Sequence, residues 1–320
     1  MIPTTLVFST TYKCNFKCAH CSVSCSPNYE DSLSLSTIKK AIDEAYKIPS
    51  IKLVVFTGGE SSLFPDILEE GIKYVAEHGF ITRLVSNAWW ADSLSRAMDN
   101  IGRWKACGLE ELNISYDDFH IPYLKKYGNE QNIINACKAI SEYGIRGLVG
   151  CVLTPKAIIT TDYLRDMLKR ENISGDIKFL EDFLFPLGRA RSLPPECFVK
   201  ADDGSITSRC REAGNSIVIL PSNDVTFCCG HLINTAAQRL ITIGKLSKNT
   251  SLSDLVHKMQ NNILFWWLHN KGPFLLLKEL GKSPELYRNC EACYYLGTKY
   301  FSDLLALAPR SEELLAKMTG

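Results

Sequence analysis

The chain has 320 residues, 46% of them apolar, and its 36 Lys plus Arg against 35 Asp plus Glu leave a formal charge of +1. That balance excludes a disordered chain and offers no basic footprint for nucleic acid or an anionic membrane surface. Thirteen cysteines rule out complete disulfide pairing. The start Met1-Ile2-Pro3-Thr4-Thr5 lacks the basic and apolar regions of a secretory signal, so the expected compartment is the reducing cytoplasm, where clustered thiols serve metals or catalysis more often than bridges. The most apolar stretch, Ile263 to Leu277, is interrupted by His269, Asn270, Lys271, Gly272 and Pro273, so no bilayer span is expected.

Short β-branched runs alternate with helical spacing along the first half. Strands are predicted at Thr5 to Thr10, Ile51 to Thr57, Phe80 to Ser86, Leu112 to Tyr116, Arg146 to Leu153 and Asp176 to Leu180. Helices are predicted between them: Ser36 to Tyr46, a stretch from Pro65 to Gly79, Ser93 to Cys107, Gln131 to Tyr143 and Asp162 to Arg170. This alternation argues for an α/β fold with a parallel sheet, covered on its outer face by helices and carrying its site at the strand C-terminal ends. After Phe185 the pattern stops, and Pro186 to Glu196 has the composition of a connecting segment. Beyond it, Ile217 to Leu220 and Val225 to Cys228 flank Pro221-Ser222-Asn223-Asp224 and read as a hairpin. One helix is predicted over Leu252 to Leu268 and a short amphipathic one around Asp303 to Met318.

The first strand runs into Cys14-Asn15-Phe16-Lys17-Cys18-Ala19-His20-Cys21. This spacing lets one loop direct three thiolates at three irons of a 4Fe–4S cube, leaving the fourth iron for a small molecule. A zinc site completed by His20 or Cys25 is the competing reading. The second strand ends in Thr57-Gly58-Gly59-Glu60, where two glycines expose backbone to a ligand and a carboxylate is available for an ammonium group.

With these two motifs one βα unit apart, the chain resembles the radical SAM superfamily, whose partial (βα)6 TIM-like barrel carries this cysteine spacing and a GGE turn. The resemblance implies that Cys14, Cys18 and Cys21 ligate a 4Fe–4S cluster whose open iron takes S-adenosyl-L-methionine. Gly58, Gly59 and Glu60 would orient the methionine moiety, and His20 occupies the place of the usual aromatic residue beside the adenine. Ser86 and Asn87 after the third strand and Asp117 after the fourth would contact the ribose or the sulfonium end. Asn and Asp after strands are also ordinary turn formers.

The last third carries Cys210, Cys228-Cys229 and Cys290-Glu291-Ala292-Cys293. This arrangement resembles the SPASM or shortened twitch extension, together with Pro186-x-Gly188-Arg189 in the bridge. It implies one auxiliary 4Fe–4S cluster on Cys210, Cys228, Cys290 and Cys293; a zinc ribbon is the alternative. The expected organisation is a barrel over 1–190, a bridging segment over 191–209 and an auxiliary-cluster region over 210–320. Successive residues of an extended chain point to opposite sides, so Cys229 would be a thiol that does not share the cluster of Cys228.

Val85-Ser86-Asn87-Ala88-Trp89, Ile114-Ser115-Tyr116-Asp117 and Phe227-Cys228-Cys229 look most like the radical SAM peptide epimerases. By that resemblance Cys229 returns a hydrogen atom to a peptide Cα radical, and an inert buried Cys229 is the alternative. The substrate would be a ribosomally synthesised precursor peptide, and the electron source a flavodoxin- or ferredoxin-type donor. Where such epimerases carry an Asp shortly after the first auxiliary cysteine, this chain has Ser216. A peptide cyclase forming thioether or carbon–carbon links and a non-catalytic iron–sulfur scaffold are the competing functions. Because the chain starts at the first barrel strand, leader recognition is expected from the barrel mouth, the C-terminal helices or another protein.

Overall fold

The structure, a computed structural model, describes residues 3–228 and 230–307. Six strands, β1 (Thr5–Ser9), β2 (Leu53–Thr57), β3 (Ile81–Ser86), β4 (Glu111–Ser115), β5 (Arg146–Leu153) and β6 (Ile177–Phe183), lie side by side in chain order, all parallel. This is the order of a partial (βα)6 barrel. One rung of the ladder, Phe8, Phe56, Leu84 and Leu112, is wholly buried and faces the helix layer. A Cβ on Gly71 would lie 2.9 Å from the Phe56 ring, so this glycine lets the helix Pro65–Glu77 press onto β2.

Three of the helices between strands begin where a side chain satisfies an orphan amide. Ser34, Ser93 and Thr160 accept from the amides of Thr37, Arg96 and Tyr163 at the starts of Leu35–Ala45, Leu94–Cys107 and Thr161–Arg170. Each helix buries one apolar face, such as Leu68, Ile72 and Val75, at about 1.5–3 kcal/mol for each large side chain.

Two features differ from expectation. Strand β6 runs on to Phe183, because pairing with Cys151, Val152 and Leu153 of β5 continues past Leu180. The helix expected over Leu252 to Leu268 is two, Leu252–Gln260 and Ile263–Asn270, since the Asn262 side chain caps the second by accepting from the amides of Leu264 and Phe265. At the C-terminus Phe301–Leu305 is helical, and the expected continuation past Leu307 lies outside the described residues.

The expected hairpin is present as β7 (Ser216–Ile219) and β8 (Asp224–Thr226), followed by β9 (Thr242–Lys245). Its attachment is what periodicity could not show. Strand β7 pairs in parallel with β1, Thr5 beside Ser216 and Phe8 beside Ile219, so nine strands form one sheet. Among the described residues no helix is long and apolar enough to cross a membrane.

Candidate active site

The C-terminal ends of β2 to β6 converge with the loop after β1 on a cavity of about 350 Å³, within the range of small-molecule sites. Cys14, Cys18, His20 and Cys21 line it, as do Gly58, Gly59 and Glu60, Ser86 and Asn87, and Asp117. The barrel residues singled out from sequence therefore share one cavity. Among the described residues, His231 is the one lining group from beyond Cys210.

The cysteine loop is anchored by Phe16, buried and stacked on Tyr123 with ring centroids 5.4 Å apart, while the Tyr123 hydroxyl donates to the Lys17 carbonyl at 2.6 Å. Burial pushes the Cys14 thiol up to about 12, and Glu60 and Cys21 add to this. Cys18 is raised by burial and then by Cys14, Asp117 and Cys21. A hydrogen bond from the Cys25 side chain brings Cys21 down to about 6 against its burial. Cys21 raises the proton affinity of Cys14, and both raise that of Cys18, so the three thiols are electrostatic neighbours of the kind suited to a cation that displaces their protons. With an adjoining cavity, they fit a 4Fe–4S cluster with S-adenosylmethionine. His20 places its Nε2 3.4 Å from Asp117 Oδ2 and stacks its ring on Phe119 at 4.7 Å.

Glu60 is buried and joins two strand ends. Its Oε1 accepts from Ser62 Oγ at 2.7 Å and Ser86 Oγ at 2.9 Å, and its Oε2 from the Asn87 amide at 2.8 Å. Burial raises its pKa, and these bonds oppose the rise. The single bond at Oε2 leaves acceptor capacity for an ammonium group. The Asn87 side chain donates to Asn15 Oδ1 at 3.0 Å and to Cys14 Sγ at 3.7 Å, so it contacts a cluster-loop thiol directly.

Asp117 accepts from His120 Nδ1 at 2.8 Å, from the Phe119 amide at 3.0 Å and from the Val152 amide at 3.3 Å. Burial opposes its ionisation, but His120 and His20 outweigh it and hold the carboxyl at about 2. Burial in turn lowers His20 to about 4. Asp117 thus organises two imidazoles at the cavity wall.

Sequence reasoning predicted β6 as a strand but named no site residue on it, and it passed over His231. Leu180, Asp182 and Phe183 line the cavity, with Leu180 and Phe183 exposed in it. Alternation along Lys178, Leu180 and Asp182 was the available signal. His231 stacks on Phe185 with centroids 3.9 Å apart, and burial lowers its pKa against the pull of Asp182.

In the C-terminal region Cys293 is buried, and its thiol is raised by burial and then by Cys210, Cys290 and Cys228. The four expected auxiliary ligands are therefore electrostatic neighbours. Cys229 lies outside the described residues. Ser216 is buried beside Thr5 at the N-terminal end of the sheet, opposite to the cavity.

Residues 8–167 match the family model described as the radical SAM superfamily, and the chain belongs to it. Among curated proteins it is 24% identical to "Putative peptide biosynthesis protein YydG" of Bacillus subtilis, over 91% of this chain and 90% of that one. Two solved structures share the fold. "Native anSMEcpe with bound AdoMet and Kp18Cys peptide" matches with TM-score 0.56 at 12% identity, covering 96% of this chain and 99% of that one. "Crystal structure of BtrN in complex with AdoMet and 2-DOIA" matches with TM-score 0.54 at 12% identity, covering 88% of this chain and 91% of that one.

Proposed function

We propose that the protein is a peptide epimerase that converts L-residues of a ribosomally synthesised precursor peptide into D-residues. The observation that carries this reading is the short segment that joins two sites. Cys228 neighbours Cys293 in the thiol group, and His231, three residues on, lines the reaction cavity. Cys229 falls between them in the sequence. A peptide substrate is supported by the resemblance to a protein named for peptide biosynthesis over nearly the full chain.

In this reading Cys14, Cys18 and Cys21 hold the barrel cluster, and Cys210, Cys228, Cys290 and Cys293 hold an auxiliary one within the region 210–320. The barrel cluster and S-adenosylmethionine together supply the 5′-deoxyadenosyl radical that removes a hydrogen atom from Cα. Gly58, Gly59, Glu60, Ser86, Asn87, His20 and Asp117 surround the cosubstrate, and Leu180, Phe183 and Phe185 offer the peptide an apolar wall. The Cys229 thiol returns a hydrogen atom from the opposite face. The resulting thiyl would need one electron and one proton, and an auxiliary cluster held by those four cysteines would supply the electron from a flavodoxin- or ferredoxin-type donor.

Turnover in D2O tests the proposal. An epimerase leaves a solvent-derived deuterium at the inverted Cα, whereas a crosslinking cyclase gives a product lighter by a pair of hydrogens. Cys229→Ala is expected to keep cleaving S-adenosylmethionine but to lose the inverted product; retained inversion in that variant would refute the role given to the thiol.

A further inference from the structure

The bridge after β6 packs backbone to backbone against the cysteine loop. At Gly188 (φ +56°) a Cβ would lie 1.9 Å from the Ser22 carbonyl oxygen, so the two backbones are in contact and only glycine fits. The Arg189 amide donates to the Cys21 carbonyl at 3.0 Å. Its guanidinium then closes on three more carbonyls of the same loop. Nη1 donates to Cys18 at 2.6 Å, and Nη2 donates to Ser24 at 2.8 Å and to Cys25 at 2.6 Å. One residue thus satisfies four carbonyls between positions 18 and 25, two of them belonging to cluster-loop cysteines expected to bind iron.

We propose that Arg189 is a positioning residue for the barrel cluster, a clamp that fixes the Cys18 to Cys25 turn before iron arrives. The chemistry favours this residue type. A loop with no regular secondary structure leaves its carbonyls without ladder partners, and a planar fork of donors can gather several of them at fixed angles. A Lys ammonium carries the same charge but cannot span the Cys18, Ser24 and Cys25 oxygens in one geometry. Because the clamp sits on the bridge, the turn of the cluster loop is set by the segment leading into the C-terminal region. The proposal is independent of the reaction outcome, since it concerns only assembly of the family's own cluster.

The test compares full-length wild type with Arg189→Lys and Arg189→Gln, purified without metal and then anaerobically reconstituted. Amide hydrogen exchange in the metal-free proteins is expected to quicken about tenfold or more over residues 18–26 in both variants, with β1 to β6 unchanged. After reconstitution, the part of the reduced-cluster EPR spectrum that shifts on adding S-adenosylmethionine is expected to fall about tenfold, in line with the loss of an outer-shell partner. The portion that does not shift should persist. If Arg189→Gln fails to fold, Arg189→Lys decides. Wild-type exchange and a wild-type S-adenosylmethionine-responsive signal in Arg189→Lys would overturn the clamp, and so would equal loss of both spectral portions with general destabilisation.

Discussion

Asp117 shows how much a single side chain can be asked to hold. Its carboxylate lies between His20 and His120 and accepts two backbone amides, which ties the loop after β4 to β5 and to the cysteine loop. Its folded pKa of about 2 is below the ordinary carboxylate value. A depressed carboxylate contributes stability that is present above the ordinary range and is lost as pH falls through the folded value. Asp117→Asn removes the charge and leaves His120 facing a weaker acceptor, at a cost of about 3 kcal/mol near neutral pH. Urea unfolding of the metal-free proteins should show that gap narrowing as pH falls from about 5 to about 3; a gap that stays constant across this range would contradict the assignment. The role of this residue was only half legible in the sequence. Asp after a strand could be named as a cavity residue, but the three-way contact needs the cysteine loop to fold back, and no spacing rule encodes that.

At the scale of elements, the GGE turn belongs as much to the cluster loop as to β2. The Gly59 amide donates to the Thr11 carbonyl at 2.6 Å and the Glu60 amide to the Lys13 carbonyl at 2.9 Å. A Cβ at Gly59 would lie 2.0 Å from the Lys13 oxygen, a clash with backbone that no rotamer relieves. Gly59→Ala is therefore expected to cost about 2–3 kcal/mol and to lower iron incorporation, measured as iron per chain beside the urea midpoint. Gly79→Ala is the control, because that site has positive φ (+74°) but nothing within 4 Å; its cost should stay near about 1 kcal/mol, with iron unchanged. If Gly59→Ala loads iron like the control, close packing of turn on loop is not what assembles the site. The alternating elements were legible to within a few residues, since each helix must bury one face and the strands β1 to β5 bury at least one. The break at Asn262 was not. Its neighbours Ile263 to Leu268 continue the apolar run, and only the cap shows that a new helix starts there.

For the whole molecule, the continuous sheet sets how the two halves depend on each other. Periodicity suggested a barrel with a separate appendage, but β7 extends the barrel sheet from its β1 side, with Ile217 wholly buried beside Leu6. Asn234, further along, donates to the Val23 carbonyl at 2.9 Å and to the Tyr29 hydroxyl at 3.1 Å, and Arg191 of the bridge lies over the Tyr294 ring at 4.2 Å. Contacts of this kind make the C-terminal region part of the barrel's own support, so the molecule should unfold as one unit. Ile217→Ala leaves a cavity between β7 and the helix layer and is expected to cost about 2–5 kcal/mol. The decisive measurement follows two sets of fluorophores, Trp89, Trp90 and Trp104 in the barrel and Trp266 and Trp267 in the C-terminal region, isolated by replacing the other set with Phe. Both midpoints should move together in urea when Ile217 is shortened. A shift confined to Trp266 and Trp267, with the barrel signal unmoved, would mean that the shared strand pairing transmits no stability and that the C-terminal region folds on its own.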